Sequence, residues 1–133
     1  MKKTLVNPET MVRPISSYSH GVRVETGDTV LIFVSGQIAL DPQGNLVGPG
    51  DVVAQTEYVF NEIATILKAA GASLKDVVKA NIYVLNMNDF PKVAEVRNKY
   101  FAESLPASTF VEVNKLVREG CLVEIEAIAA TKK

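Results

Sequence analysis

The chain has one cysteine, one histidine and no tryptophan among its 133 residues, and each scarcity removes a class of mechanism. Cys121 alone cannot form an internal disulfide, a zinc knuckle or a CxxC redox pair. His20 alone leaves too few ligands for a multi-histidine metal site within one chain. An excess of one charge is also missing. Fourteen basic against fifteen acidic residues give a formal net charge of -1, so nothing electrostatic points to nucleic acid or an anionic membrane. No apolar run approaches the length of a membrane span, and the basic start Met1-Lys2-Lys3 is not followed by the apolar core of a signal peptide. Gly48-Pro49-Gly50 lacks the Gly-Lys-Ser/Thr continuation of a phosphate loop and reads as a turn. The expectation is a soluble cytoplasmic protein, one domain spanning residues 1–133, large enough to bury a core unaided.

What is present is alternation. In the run from Gly120 to Ala130, Cys121, Val123, Ile125, Ala127 and Ala129 share one face of a strand, and Leu122, Glu124, Glu126 and Ile128 share the other. The first face is wholly apolar and calls for a core, in which Cys121 reads as a small buried residue. The second carries two carboxylates roughly 7 Å apart along the strand. Such a face either borders water or lines a pocket, and a solvated face is the commoner case.

The rest of the chain supplies the frame. Residues 1–17, with Pro8, Pro14 and Ser16-Ser17, read as an irregular lead-in. Gly27-Asp28 joins two strand-like runs as a hairpin turn. Val30 to Val34 is unbroken and apolar, which predicts a strand covered on both faces and ending at Ser35-Gly36; one further short strand fits around residues 37–40. Asp51 is placed to cap a helix whose stripe is Val59, Ile63, Ile66, Leu67 and Ala70, with Gly71 as its left-handed stop. Ser73 to Asp76 has capping-box spacing for one short turn. Val78 to Leu85 alternates again. Asn86 to Asp89 precedes a second helix with Pro91 in its first turn, and Ala107 to Val113 is another strand. Two helices against one mixed sheet make an α+β two-layer domain with both helices on one face. The opposite face would expose Tyr83, Leu85, Phe110, Leu122 and Ile128, which predicts a homo-oligomer.

By residue type alone, His20 and Cys121 are better read as structural than as base or nucleophile. Tyr18 could cap a pocket or merely pack, and Ser35-Gly36 is better explained by a strand end than by a ligand contact.

The segments Tyr18-Ser19-His20-Gly21-Val22, Val34-Ser35-Gly36-Gln37-Ile38, Gln55 with Asn61, Ala69-Ala70-Gly71, Asp76 to Lys79, Met87-Asn88-Asp89-Phe90, Pro106-Ala107 with Val111-Glu112-Val113, and Leu122 to Ala129 form one ordered set. Taken together, they resemble the RidA family, also called YjgF. The resemblance spans nearly the whole chain. It implies a chorismate-mutase-like α+β subunit, a homotrimer, and small-molecule ligands in clefts between subunits. The activity it implies is hydrolysis of a 2-imino acid, or its enamine tautomer, to a 2-keto acid and ammonia, without cofactor or metal. By motif, the catalytic glutamate is Glu124, and the substrate-binding residues include Tyr18, Ser35, Gly36 and Asn88.

One position departs from that pattern. The deaminating members carry an arginine after Pro-Ala; here Ser108 stands in its place, and Phe110 stands where a small residue is common. A hydroxyl cannot make the paired charge-assisted bonds of a guanidinium to a carboxylate. Losing one partner of such a pair costs about 2–5 kcal/mol. The resemblance therefore implies an imine or enamine hydrolase whose substrate is not a standard 2-imino acid, with Ser108 and Phe110 lining its pocket. A non-catalytic binding or interaction protein on the same trimer is the alternative. The ribonuclease label carried by some relatives fits poorly with the net charge of -1 and the absence of tryptophan.

Overall fold

A computed structural model describes all 133 residues. Six strands, β1 (Lys2–Val6), β2 (Gly21–Thr26), β3 (Thr29–Gln37), β4 (Val77–Val84), β5 (Ala107–Glu112) and β6 (Val123–Lys132), form one sheet. Its strand order is β1-β2-β3-β6-β4-β5. Only β4 and β5 run parallel; antiparallel neighbours can be joined by a tight turn, whereas a parallel pair needs a crossover. Helix α2 (Phe90–Tyr100) is that crossover, and α1 (Val52–Ala69) connects β3 to β4.

Burial follows the alternation. Val123, Ile125, Ala127 and Ala129 of β6, Ala80, Ile82 and Val84 of β4, and Val30, Ile32 and Val34 of β3 are buried, and they join one apolar cluster with residues of both helices. From α1 come Val59, Phe60, Ile63, Ile66 and Leu67, and from α2 Val93 and Val96. Cys121 is fully buried beside this core as a free thiol, and burial raises its pKa.

Local signals set the helix ends. Asp51 accepts a hydrogen bond from the Ala54 N–H at 3.0 Å, a side-chain N-cap. At the other end Gly71 adopts φ +85°. The Ala72 N–H reaches Leu67 O at 2.8 Å and the Gly71 N–H reaches Lys68 O at 3.1 Å, the paired bonds of a Schellman cap. The Asp76 carboxylate accepts from the Ser73 N–H at 2.8 Å in the short turn that follows.

Three expectations need correction. Lys2–Val6 is an edge strand paired with β2, not an irregular lead-in; only Val6 of its five residues is buried, so no apolar alternation betrays it. Strand β3 is covered on one face only, since Phe33 remains 42 % exposed. Residues 37–40 form no strand beyond β3 apart from an isolated bridge between Leu40 and Leu46. No helix is long and apolar enough to cross a membrane.

Candidate active site

The site forms where β3 departs from regular pairing. Val34 lies opposite Ala127, yet Gln37 lies opposite Ile125, so β3 holds one residue more than β6 across this interval. Bulges of this kind re-aim side chains and end pairing. Beyond Gln37, β6 has no partner on the β3 side, although β4 still pairs with it at Tyr83–Glu124 and Val84–Val123. The sheet therefore opens beside Glu124, and a cavity of about 460 Å³ occupies the gap.

Glu124, Ser35, Gly36 and Tyr18 all line that cavity. Gly36 is needed for its lack of a side chain: an added Cβ would lie 2.6 Å from Glu124 Oε2 and 2.8 Å from its Cδ. The carboxylate thus rests directly on the Gly36 backbone. Glu124 is half-buried, and its pKa is raised by burial first and by the neighbouring Glu126 second. Glu126 is occupied elsewhere, accepting hydrogen bonds from Asn81 Nδ2 at 2.8 Å and Tyr83 Oη at 2.9 Å. Of the two carboxylates on this face, Glu124 is the one that lines this cavity.

The surrounding contacts hold this geometry. The Ser35 hydroxyl donates to Ser19 O at 2.6 Å, and the Ser35 N–H to His20 O at 2.9 Å, which straps the Tyr18 segment to the bulge. His20 is buried, with Nε2 2.6 Å from Val12 O and Nδ1 3.3 Å from Gln37 Nε2, the structural role its isolation suggested. Gln55 of α1 is fully buried; its amide donates to Gly48 O at 3.2 Å and Gly120 O at 3.0 Å and accepts from the Leu122 N–H at 2.8 Å. It fixes the entry of β6 two residues before Glu124.

The other sequence-derived candidates do not reach this cavity within the chain. Ser108 lines a separate hollow with Arg97. Phe110 packs edge-on against Phe90 with ring centroids 4.8 Å apart. Asn88 is exposed in the turn before α2, its N–H bound to Asn86 Oδ1 at 2.9 Å. Two residues that sequence reasoning missed do line the cavity, Glu62 of α1 and Arg118 of the loop before β6. Glu62 had a signal: it lies three residues after Val59 and four before Ile66, inside the apolar stripe. No group of three or more His, Cys, Asp or Glu residues is placed to hold a metal ion.

Comparison with known proteins assigns the family. The model of the family described as Endoribonuclease L-PSP matches residues 9–131. A RutC family protein of Pyrococcus abyssi is 43% identical over 129 residues, 97% of this chain and 98% of its own. The chain belongs to the RidA/RutC family. The mouse 2-iminobutanoate/2-iminopropanoate deaminase is 42% identical over 115 residues, 86% of this chain and 82% of its own. The 3-aminoacrylate deaminase RutC of Acinetobacter baylyi is 35% identical across 97% of this chain and 98% of its own. A crystal structure from Thermotoga maritima superposes with a TM-score of 0.87 at 40% identity, covering all of both chains. The two-layer α+β fold is thus the RidA fold, of chorismate-mutase-like architecture, and deaminases are among its members.

Proposed function

We propose that this protein hydrolyses a reactive imine or enamine to a carbonyl compound and ammonia, with Glu124 activating the attacking water. One observation carries the reading: a half-buried carboxylate, raised in pKa and bonded to no cation of its own chain, rests against bare glycine backbone in the mouth of a cavity. Placed there, Glu124 can accept a proton from water once ionised. Its raised pKa makes it a better base than an exposed glutamate. The Ser35 hydroxyl spends its proton on Ser19 O and so keeps only acceptor capacity for a substrate N–H. Tyr18, 47 % exposed, stands at the rim.

A homotrimer with its ligand cleft between subunits completes the proposal. The open sheet face, with Phe33 42 % and Val111 37 % exposed, offers apolar surface for such contact. A neighbouring subunit would then deliver Ser108, Phe110 and Asn88 to the cavity that holds Glu124. With Ser108 in the position of the arginine, the proposed substrate is not a standard 2-imino acid. An uncharged or differently charged imine fits an apolar Phe110 wall better. Cytoplasmic location is part of the same proposal, since such imines are short-lived.

The test is a discontinuous hydrolysis assay in which 2-iminobutanoate and 2-iminopropanoate are generated in situ and the remaining imine is trapped with semicarbazide. Wild type, Ser108→Arg and Ser108→Arg with Glu124→Gln are compared. The expected pattern is weak wild-type activity, a gain of ten-fold or more with Ser108→Arg, in line with about 2–5 kcal/mol for a restored pair, and loss when Glu124 is also replaced. Full wild-type activity would remove the substrate restriction, and silence in every variant would remove the hydrolase.

A further inference from the structure

The cavity contains a second carboxyl that the reading above leaves idle. Glu62 projects from α1 and is only 7 % exposed, yet it lines the same cavity as Glu124. Burial is the one cause acting on its protonation; no hydrogen bond and no cation of the chain supports its charge. Its oxygens are nonetheless not sealed in, since Ser104 Oγ is the one buried side-chain oxygen or nitrogen lacking both a partner and solvent contact. An unpartnered carboxyl, more than nine-tenths buried and in contact with the cavity, is costly to keep unless it is used.

The groups around it are few. Glu124 of β6, Arg118 of the preceding loop, and Tyr18 and His20 of the segment before β2 share the cavity. Tyr58 on its own helix has its phenol pushed up by burial and by the Glu62 charge. Arg118 donates to Gly44 O at 2.9 Å, and His20 is held by Val12 O and Gln37. Burial pushes the Glu62 carboxyl up to about 8, so it is protonated at neutral pH. Glu124 is only half-buried, which makes it the more readily ionised of the two. Two carboxyls held in opposite protonation states in one cavity are the arrangement of an acid and a base.

We propose that Glu62 is the proton donor of this site, protonating the substrate nitrogen while Glu124 accepts a proton from water. The proposal rests on the imine-hydrolase reading. In the addition step the water oxygen bonds to the imine carbon and one water proton passes to the Glu124 carboxylate. The π pair of C=N moves to nitrogen, which takes the Glu62 proton, leaving a carbinolamine, neutral Glu124 and ionised Glu62. In the collapse the carbinolamine O–H proton returns to Glu62 and the C=O bond forms. The C–N bond breaks with its electrons on nitrogen, which takes the Glu124 proton and departs as ammonia. Imine and water give carbonyl compound and ammonia, and both glutamates end as they began.

The experiment follows kcat and KM from pH 5.5 to 9.5, with the uncatalysed rate subtracted, for wild type, Glu62→Gln and Glu62→Asp. The substrate is whichever of 2-iminobutanoate, 2-iminopropanoate and 3-aminoacrylate wild type turns over fastest. Glutamine keeps the shape but has no transferable proton, so Glu62→Gln lowers kcat about 100-fold or more with little change in KM. It also loses the alkaline fall of the wild-type profile near pH 8. Glu62→Asp keeps an acid and recovers part of the rate together with that alkaline fall. Wild-type kcat and an unaltered profile in Glu62→Gln would overturn this proposal alone. Should Glu62→Gln not fold, an aspartate variant lacking the alkaline fall would do the same. Silence of both wild type and Ser108→Arg on all three substrates overturns the imine-hydrolase reading and this inference with it; where wild type alone is silent, the Glu62 series is run in the Ser108→Arg background.

Discussion

Replacing Glu62 by glutamine should stabilise the protein at alkaline pH and leave its stability unchanged in acid. The side chain is 7 % exposed and burial raises its carboxyl from 4.5 to about 8 in the folded state. Between those values the unfolded chain has released the proton and the folded chain has kept it, so folding takes up a proton and stability falls as pH rises. Below the unfolded value both states are protonated and the group contributes nothing to the slope. Above about 8 both are ionised and the loss is complete. At about 1.4 kcal/mol per pKa unit the full loss has an upper bound of about 5 kcal/mol, and relaxation or water entry from the cavity reduces it to a few. Glutamine has no such titration. Urea unfolding of wild type and Glu62→Gln at one fixed protein concentration, from pH 5 to 9, should give curves that separate steadily up to about pH 8 and then run parallel. The difference matters because Glu124, whose pKa is also raised, adds a slope of the same sign to both proteins and cancels. A constant difference across that range would refute the claim that Glu62 is neutral in the folded protein.

Three further outcomes are expected. Gly36→Ala places a methyl group 2.6 Å from Glu124 Oε2, so it should displace the carboxylate and lower kcat of imine hydrolysis at least ten-fold, while thermal stability changes by no more than about 1–3 kcal/mol; retained kcat would show that the carboxylate position is not critical. Gln55→Ala strips partners from Gly48 O, Gly120 O and the Leu122 N–H, and at about 1 kcal/mol per bond should lower unfolding free energy by about 3 kcal/mol in urea. Glu25 is held at about 2 by hydrogen bonds from Lys133 and then Arg23. Its contribution is present above the unfolded value near 4.5 and lost as pH falls toward 2, so Glu25→Gln should flatten the acid side of a melting-temperature profile over that interval.

The sequence made legible those features in which one face is buried and the other is not. The two faces of strand β6 could be read because Val123, Ile125, Ala127 and Ala129 all meet the core, although the strand runs Val123–Lys132 rather than from Gly120 to Ala130, and α1 because both its ends carry capping chemistry. Strand β1 could not, since an edge strand held by backbone pairing to β2 has no need of apolar alternation. Of the site, the alternation separated Glu124 from the core, and the family resemblance grouped it with Ser35, Gly36 and Tyr18, which share one cavity. Glu62 escaped because a helical glutamate is ordinarily solvated, although its place inside the apolar stripe of α1 puts this one on the packed face. Ser108, Phe110 and Asn88 lie apart from Glu124 in the single chain. No pattern within one chain encodes what a second chain would bring beside it.

The position of the extra residue in β3 explains how one cavity can draw on both layers. Glu124 lies on the sheet face turned away from the helices, whereas Glu62 belongs to a helix packed on the other face. An uninterrupted sheet would keep two such groups apart by its own thickness. Pairing between β3 and β6 ends at Gln37–Ile125, so Glu124 is the first residue of β6 on that side without a strand beside it. The same irregularity brings Gly36 under the Glu124 carboxylate. One bulge therefore does three things: it opens a gap in the sheet, seats Glu124, and exposes the helix layer to the cavity. This accounts for an arrangement of side chains that can hold an ionised and a neutral carboxyl together. Their difference comes from position alone, one at the strand edge in contact with water and one on a packed helix.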